Sequence, residues 1–176
     1  SAAAQNDLGD RYRAGRGVTK DYAEAVKWYK KAADKGHADA QYHLGLMCEE
    51  GRGVTKDYVE AEKWYQQAAD KGHAGAKGAL APLYEKAIRE AKNDAEAVTW
   101  LQKAAGKGSA AAQNDLGDRY RAGRGVPTDY AEAVKWYRKA AEQGHAGAQN
   151  SLGFMYAEGL GVAQSDAEAV KWLRKA

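Results

Sequence analysis

Trp28, Trp64, Trp100, Trp136 and Trp172 are separated by 36 residues at every step. The same register carries Glu24, Glu60, Glu96, Glu132 and Glu168, and also Leu8, Leu44, Leu80, Leu116 and Leu152. One supersecondary unit is therefore copied about five times without an insertion. Units of this kind stack neighbour on neighbour, so the expectation is one elongated domain over residues 1–176 and not two globular ones. The repeats are read at about 4–39, 40–75, 76–111 and 112–147, with a truncated copy at 148–176. Apolar residues make up 44% of the chain, but alanine dominates them and there is one Phe, so the core must be thin and built from Trp, Tyr and Leu set against Ala.

Each unit divides into two helical stretches. In the first, helix A places Ala4, Leu8 and Tyr12 on one stripe. Helix B carries a wider stripe of Tyr22, Ala25, Trp28, Tyr29, Ala32 and Ala33, with Lys27, Lys30 and Lys31 on its other side. Asp21, Asp57, Asn93, Asp129 and Ser165 each precede a glutamate by three positions, which predicts a reciprocal capping box at the start of every helix B. Gly36, Gly72, Gly108 and Gly144 suit the left-handed residue that closes a helix. His37, His73, Ser109 and His145, with Ser1 in the same register, read as N-caps of the next helix A. Gly9, Gly45, Gly117 and Gly153 read as packing notches for a neighbouring aromatic, because glycine inside a helix costs roughly 0.5–1 kcal/mol relative to Ala. Helix starts are predicted near 4, 22, 40, 58, 76, 94, 112, 130, 148 and 166, with no strand.

The pattern A-x-x-x-L-G-x-x-Y-x-x-G-x-G-V-x-x-D-x-x-x-A-x-x-W-x-x-K-A-A-x-x-G is close in Ala4 to Gly36, Ala40 to Gly72, Ala112 to Gly144 and the truncated Ala148 to Ala176. It resembles the Sel-one-like repeat (SLR) family, a relative of the tetratricopeptide repeat with a longer loop between its helices. That resemblance implies an all-α fold, a right-handed α-solenoid (α-α superhelix) of antiparallel helix pairs with helix A on the concave side. It also implies an adaptor that binds proteins or peptides, with bacterial scaffold, secretion-linked and immunity-type roles.

Two features depart from a uniform array. The third copy reads Ala87-Ile-Arg-Glu90 where the others read Gly-x-Gly-Val, so its helix A is expected to run on to about Lys92 and turn at Asn93. Pro82 falls inside that helix and is expected to kink it or to mark its effective start. In addition, Ser1 to Val18 is identical to Ser109 to Val126, and Asp21 to Tyr29 is identical to Asp129 to Tyr137. Either a block of three repeats has duplicated, or the chain was assembled by design.

Several function classes find no support. Lys and Arg number 27 against 24 Asp and Glu, a balance of +3 with both signs interspersed, so no cationic nucleic-acid binder is indicated. The local arginine clusters at Arg11, Arg13 and Arg16 and at Arg119, Arg121 and Arg124 do not continue through the second and fifth copies, as a phosphate track would require. No window approaches the roughly 18 consecutive apolar residues of a spanning helix, so the chain is expected to be soluble as it stands and off the membrane. It opens without a basic and apolar leader and stops inside a repeat; compartment, a trimmed leader and a longer parent all stay open. No metal, cofactor or catalytic residue is assigned. His37, His73 and His145 are spaced by whole repeats, too far apart to share an ion. Cys48 replaces the Tyr of the other copies and reads as a buried thiol, so the chain is not expected to be an enzyme.

The expected function is a non-catalytic protein or peptide interaction module that uses the concave helix-A surface; the alternative is an engineered repeat scaffold without a native ligand. Carrying the tetratricopeptide groove onto this sequence gives outward helix-A positions Asn6, Asp10 and Arg13; Tyr42, Leu46 and Glu49; Gly78, Pro82 and Glu85; Asn114, Asp118 and Arg121; and Asn150, Phe154 and Ala157. Tyr42, Leu46 and Phe154 are apolar where an outer face needs no apolar group, which marks them as ligand-facing; the alternative is that they pack against the adjacent helix. Trp28, Trp64, Trp100 and Trp136 are expected to be largely buried, and Trp172 less so for want of a following repeat. Uncapped terminal repeats also point to end-to-end self-association.

Overall fold

The computed structural model describes residues 1–176 as ten α-helices and no strand. In chain order these are α1 (Ala2–Ala14), α2 (Tyr22–Ala33), α3 (Ala38–Glu50), α4 (Tyr58–Asp70), α5 (Ala74–Arg89), α6 (Asp94–Gly106), α7 (Ala110–Ala122), α8 (Tyr130–Glu142), α9 (Ala146–Glu158) and α10 (Asp166–Leu173). Each repeat contributes one consecutive helix pair, so the fold is an α-solenoid of helix-pair repeats. The chain divides into two compact units, Ser1–Leu83 and Tyr84–Ala176. No helix is long and apolar enough to cross a membrane.

The second helix of every pair begins where the spacing predicts, whereas the first helices begin two residues early, at Ala2, Ala38, Ala74, Ala110 and Ala146. The cause is the cap. Ser1 Oγ, His37 Nδ1, His73 Nδ1, Ser109 Oγ and His145 Nδ1 accept from the N–H three residues on, at 3.2, 3.4, 3.0, 3.3 and 3.2 Å. The glycines just before four of these caps, Gly36, Gly72, Gly108 and Gly144, have φ of 82°, 87°, 97° and 86°. A left-handed residue at that point reverses the chain between helices.

The capping boxes form only half as predicted. Asp21, Asp57, Asn93, Asp129 and Ser165 do accept from the glutamate N–H. The return bond to the cap's own N–H is absent from the Asp and Ser copies, because that N–H already donates to a helix-A carbonyl: Asp21 to Tyr12, Asp57 to Cys48, Asp129 to Tyr120 and Ser165 to Tyr156. The freed glutamates pair instead with a lysine three residues on, as Glu60 does with Lys63 and Glu168 with Lys171. In the third repeat, where helix A is longer, Glu96 accepts from the Lys92 N–H at 2.9 Å.

The cores of the first, second and fourth repeats are built around a tyrosine, not the tryptophan before it. Tyr29, Tyr65 and Tyr137 are fully buried, and each ring lies in the notch of Gly9, Gly45 or Gly117, where an added Cβ would stand 2.4–2.6 Å from ring atoms. In the fifth repeat the same register sets Leu173 against Gly153, where an added Cβ would stand 2.8 Å from the leucine side chain. Trp28, Trp64 and Trp136 keep part of their surface exposed, more than the tyrosines beside them. They stand one residue round the helix from the tyrosine and carry a lysine over the ring, Lys31 at 4.1 Å from Trp28 and Lys139 at 4.3 Å from Trp136. Trp100, beside Tyr84, and Trp172 are buried, at 3% and 8% exposure. The expectation for Trp172 was therefore wrong: its ring is covered within its own unit, in the cluster of Tyr137, Leu152 and Met155.

Stacking of one repeat on the next uses two polar devices within each unit. Gln41, Gln113 and Gln149 are buried and donate to the carbonyls of Ala33, Ala105 and Ala141 at the end of the preceding helix. The second loop glycine of a repeat, Gly53, Gly125 or Gly161, comes so near the start of the preceding second helix that a Cβ would meet backbone at 2.3–2.4 Å. In the third repeat α5 runs unbroken through Pro82, which is exposed, and stops at Arg89; it neither begins at the proline nor reaches Lys92. The turn to Asn93, the cap of α6, is as expected.

Candidate functional site on the first-helix face

In the first unit, Asp10 and Arg13 converge on the hydroxyl of the core tyrosine. Tyr29 Oη donates to Asp10 Oδ1 at 2.8 Å and accepts from Arg13 Nε at 3.0 Å, while Arg13 Nη2 reaches Asp10 Oδ1 at 3.2 Å. Asn6 is buried and donates to Asp10 Oδ2 at 3.3 Å. His43, from α3, closes this cluster: Nδ1 lies 3.3 Å from Asn6 Oδ1 and 3.9 Å from Asp10 Oδ1, and its ring is 4.8 Å from that of Tyr29. Burial holds the His43 pKa below its ordinary value despite Asp10. Burial, reinforced by Asp10, raises that of Tyr29. These positions are polar on the surface and structural beneath it.

Tyr42 and Leu46 stand on the same face. Tyr42 is partly buried and stacks on His73 with ring centroids 4.5 Å apart, near Tyr65 at 5.7 Å. Leu46 is partly buried against the cluster of Tyr65 and Leu83. Glu49 takes the tyrosine hydroxyl here, accepting from Tyr65 Oη at 2.7 Å. Arginine in the first and fourth copies and glutamate in the second thus reach one buried group.

The second unit repeats the first network on an identical helix. Tyr137 Oη donates to Asp118 Oδ1 at 2.7 Å and accepts from Arg121 Nε at 3.1 Å, and Asn114 donates to Asp118 Oδ2 at 3.4 Å. The neighbour differs. Ser151 replaces His43 in register and Asn150 replaces Tyr42, so the ring that closes the first cluster is missing. Asn114 Oδ1 is left buried without a hydrogen-bond partner. Asp118 is 46% exposed where Asp10 is 33%. Beside them a cleft of about 300 Å³ opens, lined by Arg121, Asn150, Ser151 and Phe154. Phe154 is 49% exposed. Of the sequence-derived positions, Arg121, Asn150 and Phe154 therefore meet at one cleft. The tyrosine hydroxyls and the His43-to-Ser151 exchange were missed, although the Trp-Tyr pair facing a glycine and the difference between otherwise matched copies were visible signals.

No three His, Cys, Asp or Glu side chains come together as a metal site would need. Cys48 is buried, and that burial pushes its thiol up to about 11.

The chain matches the Sel1 repeat profile at residues 2–37, 38–73, 80–109, 110–145 and 146–176. No curated protein matches it. Among solved structures, a Sel1 repeat protein from Oxalobacter formigenes is 40% identical over 99% of this chain and 72% of its own, with a TM-score of 0.48. The protein c5321, a protective antigen of uropathogenic Escherichia coli with an SLR fold, is 34% identical over 99% of this chain, with a TM-score of 0.50; this chain spans 45% of it. Immunity protein PA5088 from Pseudomonas aeruginosa is 25% identical over 97% of this chain and 64% of its own, with a TM-score of 0.42. Sel1 repeats are in general non-catalytic protein-interaction modules. Five matched repeats covering nearly all of its length make this chain a member of the Sel1 repeat family.

Proposed function

We propose that the chain is a non-catalytic adaptor that presents the first-helix face of its repeats to a protein or peptide. Asn6, Asp10, Arg13, Tyr42, Leu46 and Glu49 would contribute in the first unit, and Asn114, Asp118, Arg121, Asn150 and Phe154 in the second. The observation that carries this reading is Phe154, an exposed aromatic at the edge of an open cleft with Arg121 and Asn150 beside it. An aromatic anchor ringed by polar groups is the composition of an interaction hot spot. Asn6 and the partly buried Tyr42 and Leu46 support it less directly, since part of their surface is spent on packing.

Peptides selected from a displayed random library, with affinity then measured by calorimetry, test the proposal. Phe154→Ala should weaken the selected peptides by about tenfold or more, roughly 1.4 kcal/mol. Peptides that bind this variant and Tyr42→Ala as tightly as the parent overturn the assignment. The near-identity of the first and fourth repeats favours a second reading, an engineered scaffold with no native ligand. Affinity capture from a bacterial lysate separates the two: an adaptor retains one saturable partner, and a scaffold retains none.

A further inference from the structure

One polar cluster is built twice in this chain and completed once. Helices α1 and α7 have the same sequence, and each sets an aspartate and an arginine on the hydroxyl of a core tyrosine with nearly equal geometry. The tyrosine-to-aspartate distances are 2.8 and 2.7 Å, and the arginine-to-tyrosine distances 3.0 and 3.1 Å. In the first copy the ring of His43 fills the remaining place. The Asn6 amide nitrogen is committed to Asp10, so its oxygen is the group that faces the ring and must accept. His43 Nδ1 therefore donates to Asn6 Oδ1 at 3.3 Å, with the ring beside that of Tyr29.

In the second copy Ser151 takes the register position of His43. The Asn114 nitrogen is again turned to Asp118, and its Oδ1 is left buried with no partner. That oxygen faces α9, 3.7 Å from where a Cβ on Gly147 would stand, one turn before Ser151. A buried acceptor without a donor is a standing penalty that an incoming N–H removes. The cleft opens at this point, with Ser151 in its lining and the half-exposed ring of Phe154 as an apolar wall. At about 300 Å³ it lies at the small end of ligand pockets, a size that suits one side chain.

We propose that this cleft takes a histidine side chain of a bound protein or peptide, which completes the cluster of Asn114, Asp118 and Tyr137 as His43 completes its copy. The imidazole would enter beside Ser151, donate a ring N–H to Asn114 Oδ1 and lay a face near Phe154. Histidine fits because the same acceptor, with the same carboxylate behind it, already holds that ring in the first unit. A lysine would bring a charge without a flat face, and a phenylalanine a face without a donor. The inference rests on the adaptor reading above and names what the partner presents.

The probe is 4-methylimidazole, the histidine side chain by itself, added to the 176-residue chain. Phe154 is the only phenylalanine, so labelling phenylalanine with carbon-13 lets NMR report on the cleft alone. Titration to about 100 mM, a range suited to a ligand of so few atoms, should shift the Phe154 ring signals saturably. The compound 4-methylthiazole has the same ring shape and no N–H, and should bind about threefold or more weakly. Ser151→His should fill the site from within, so that a folded variant no longer responds to 4-methylimidazole. No saturable shift in the parent, equal binding of the thiazole, or an undiminished response in folded Ser151→His each overturns the proposal. Selected peptides that bind at Phe154 and lose nothing when their histidines are changed to alanine also overturn it, and leave the adaptor reading standing.

Discussion

At Gly45 a methyl group would stand 2.4 Å from two ring atoms of Tyr65, a side chain with no exposure and little room to shift. Gly45→Ala gains up to about 1 kcal/mol of helix propensity but overpacks the core by about 1–3 kcal/mol, so denaturant unfolding should show a net loss on the order of 1 kcal/mol. Gly106→Ala, with open space around it, should show a small gain. Two titrating groups give further tests. Burial holds the His43 pKa below its ordinary value, whereas the unfolded chain takes up that proton near pH 6.5. The unfolded state therefore binds more protons on acidification, and stability should fall as pH drops through about 6.5; His43→Gln should flatten that slope. With its thiol at about 11, Cys48 is roughly one part in a thousand thiolate at pH 8. It should react with a disulfide reagent about a hundredfold or more slower than a free cysteine, and at a normal rate in denaturant.

Among the elements, the second helices depend on their first turn. Asp57 Oδ1 accepts from the N–H groups of Val59 and Glu60 at 2.8 and 3.1 Å, with no reciprocal side-chain bond to share the load. Asp57→Ala should therefore cost about 1 kcal/mol, read as a drop in the denaturation midpoint. Glu60→Ala should cost much less, because Glu60 holds only the exposed Lys63. The reverse applies in the third repeat, where Glu96 accepts a backbone bond from Lys92. There the glutamate matters more, since it holds a backbone N–H of the turn. That exchange of partners is why a capping pattern legible in all five copies became a reciprocal motif in none of the four regular ones.

For the whole molecule, stability in a stacked array is a sum of repeat terms and nearest-neighbour interfaces, so an uncovered face should open first. α6 and α10 have almost one sequence but differ in cover. Amide hydrogen exchange should be faster over 166–173 than over 94–101. Equal protection in dilute solution would show that local sequence, and not the missing neighbour, sets the stability of α10.

Repeat length, helix pairing, both kinds of cap and the absence of strands were readable in the sequence by itself, because each depends on residues within a few positions of one another and recurs with a 36-residue period. Only the tertiary structure decided which aromatic of each Trp-Tyr pair enters the core, since both lie on the same helical stripe and the choice rests on a glycine 20 residues away. The candidate site was legible only in part, for the same reason. Asn6, Asp10 and Arg13 recur unchanged as Asn114, Asp118 and Arg121, yet one set is closed by His43 and the other stands beside an open cleft. That difference belongs to the neighbouring helix, and only stacking brings it into contact.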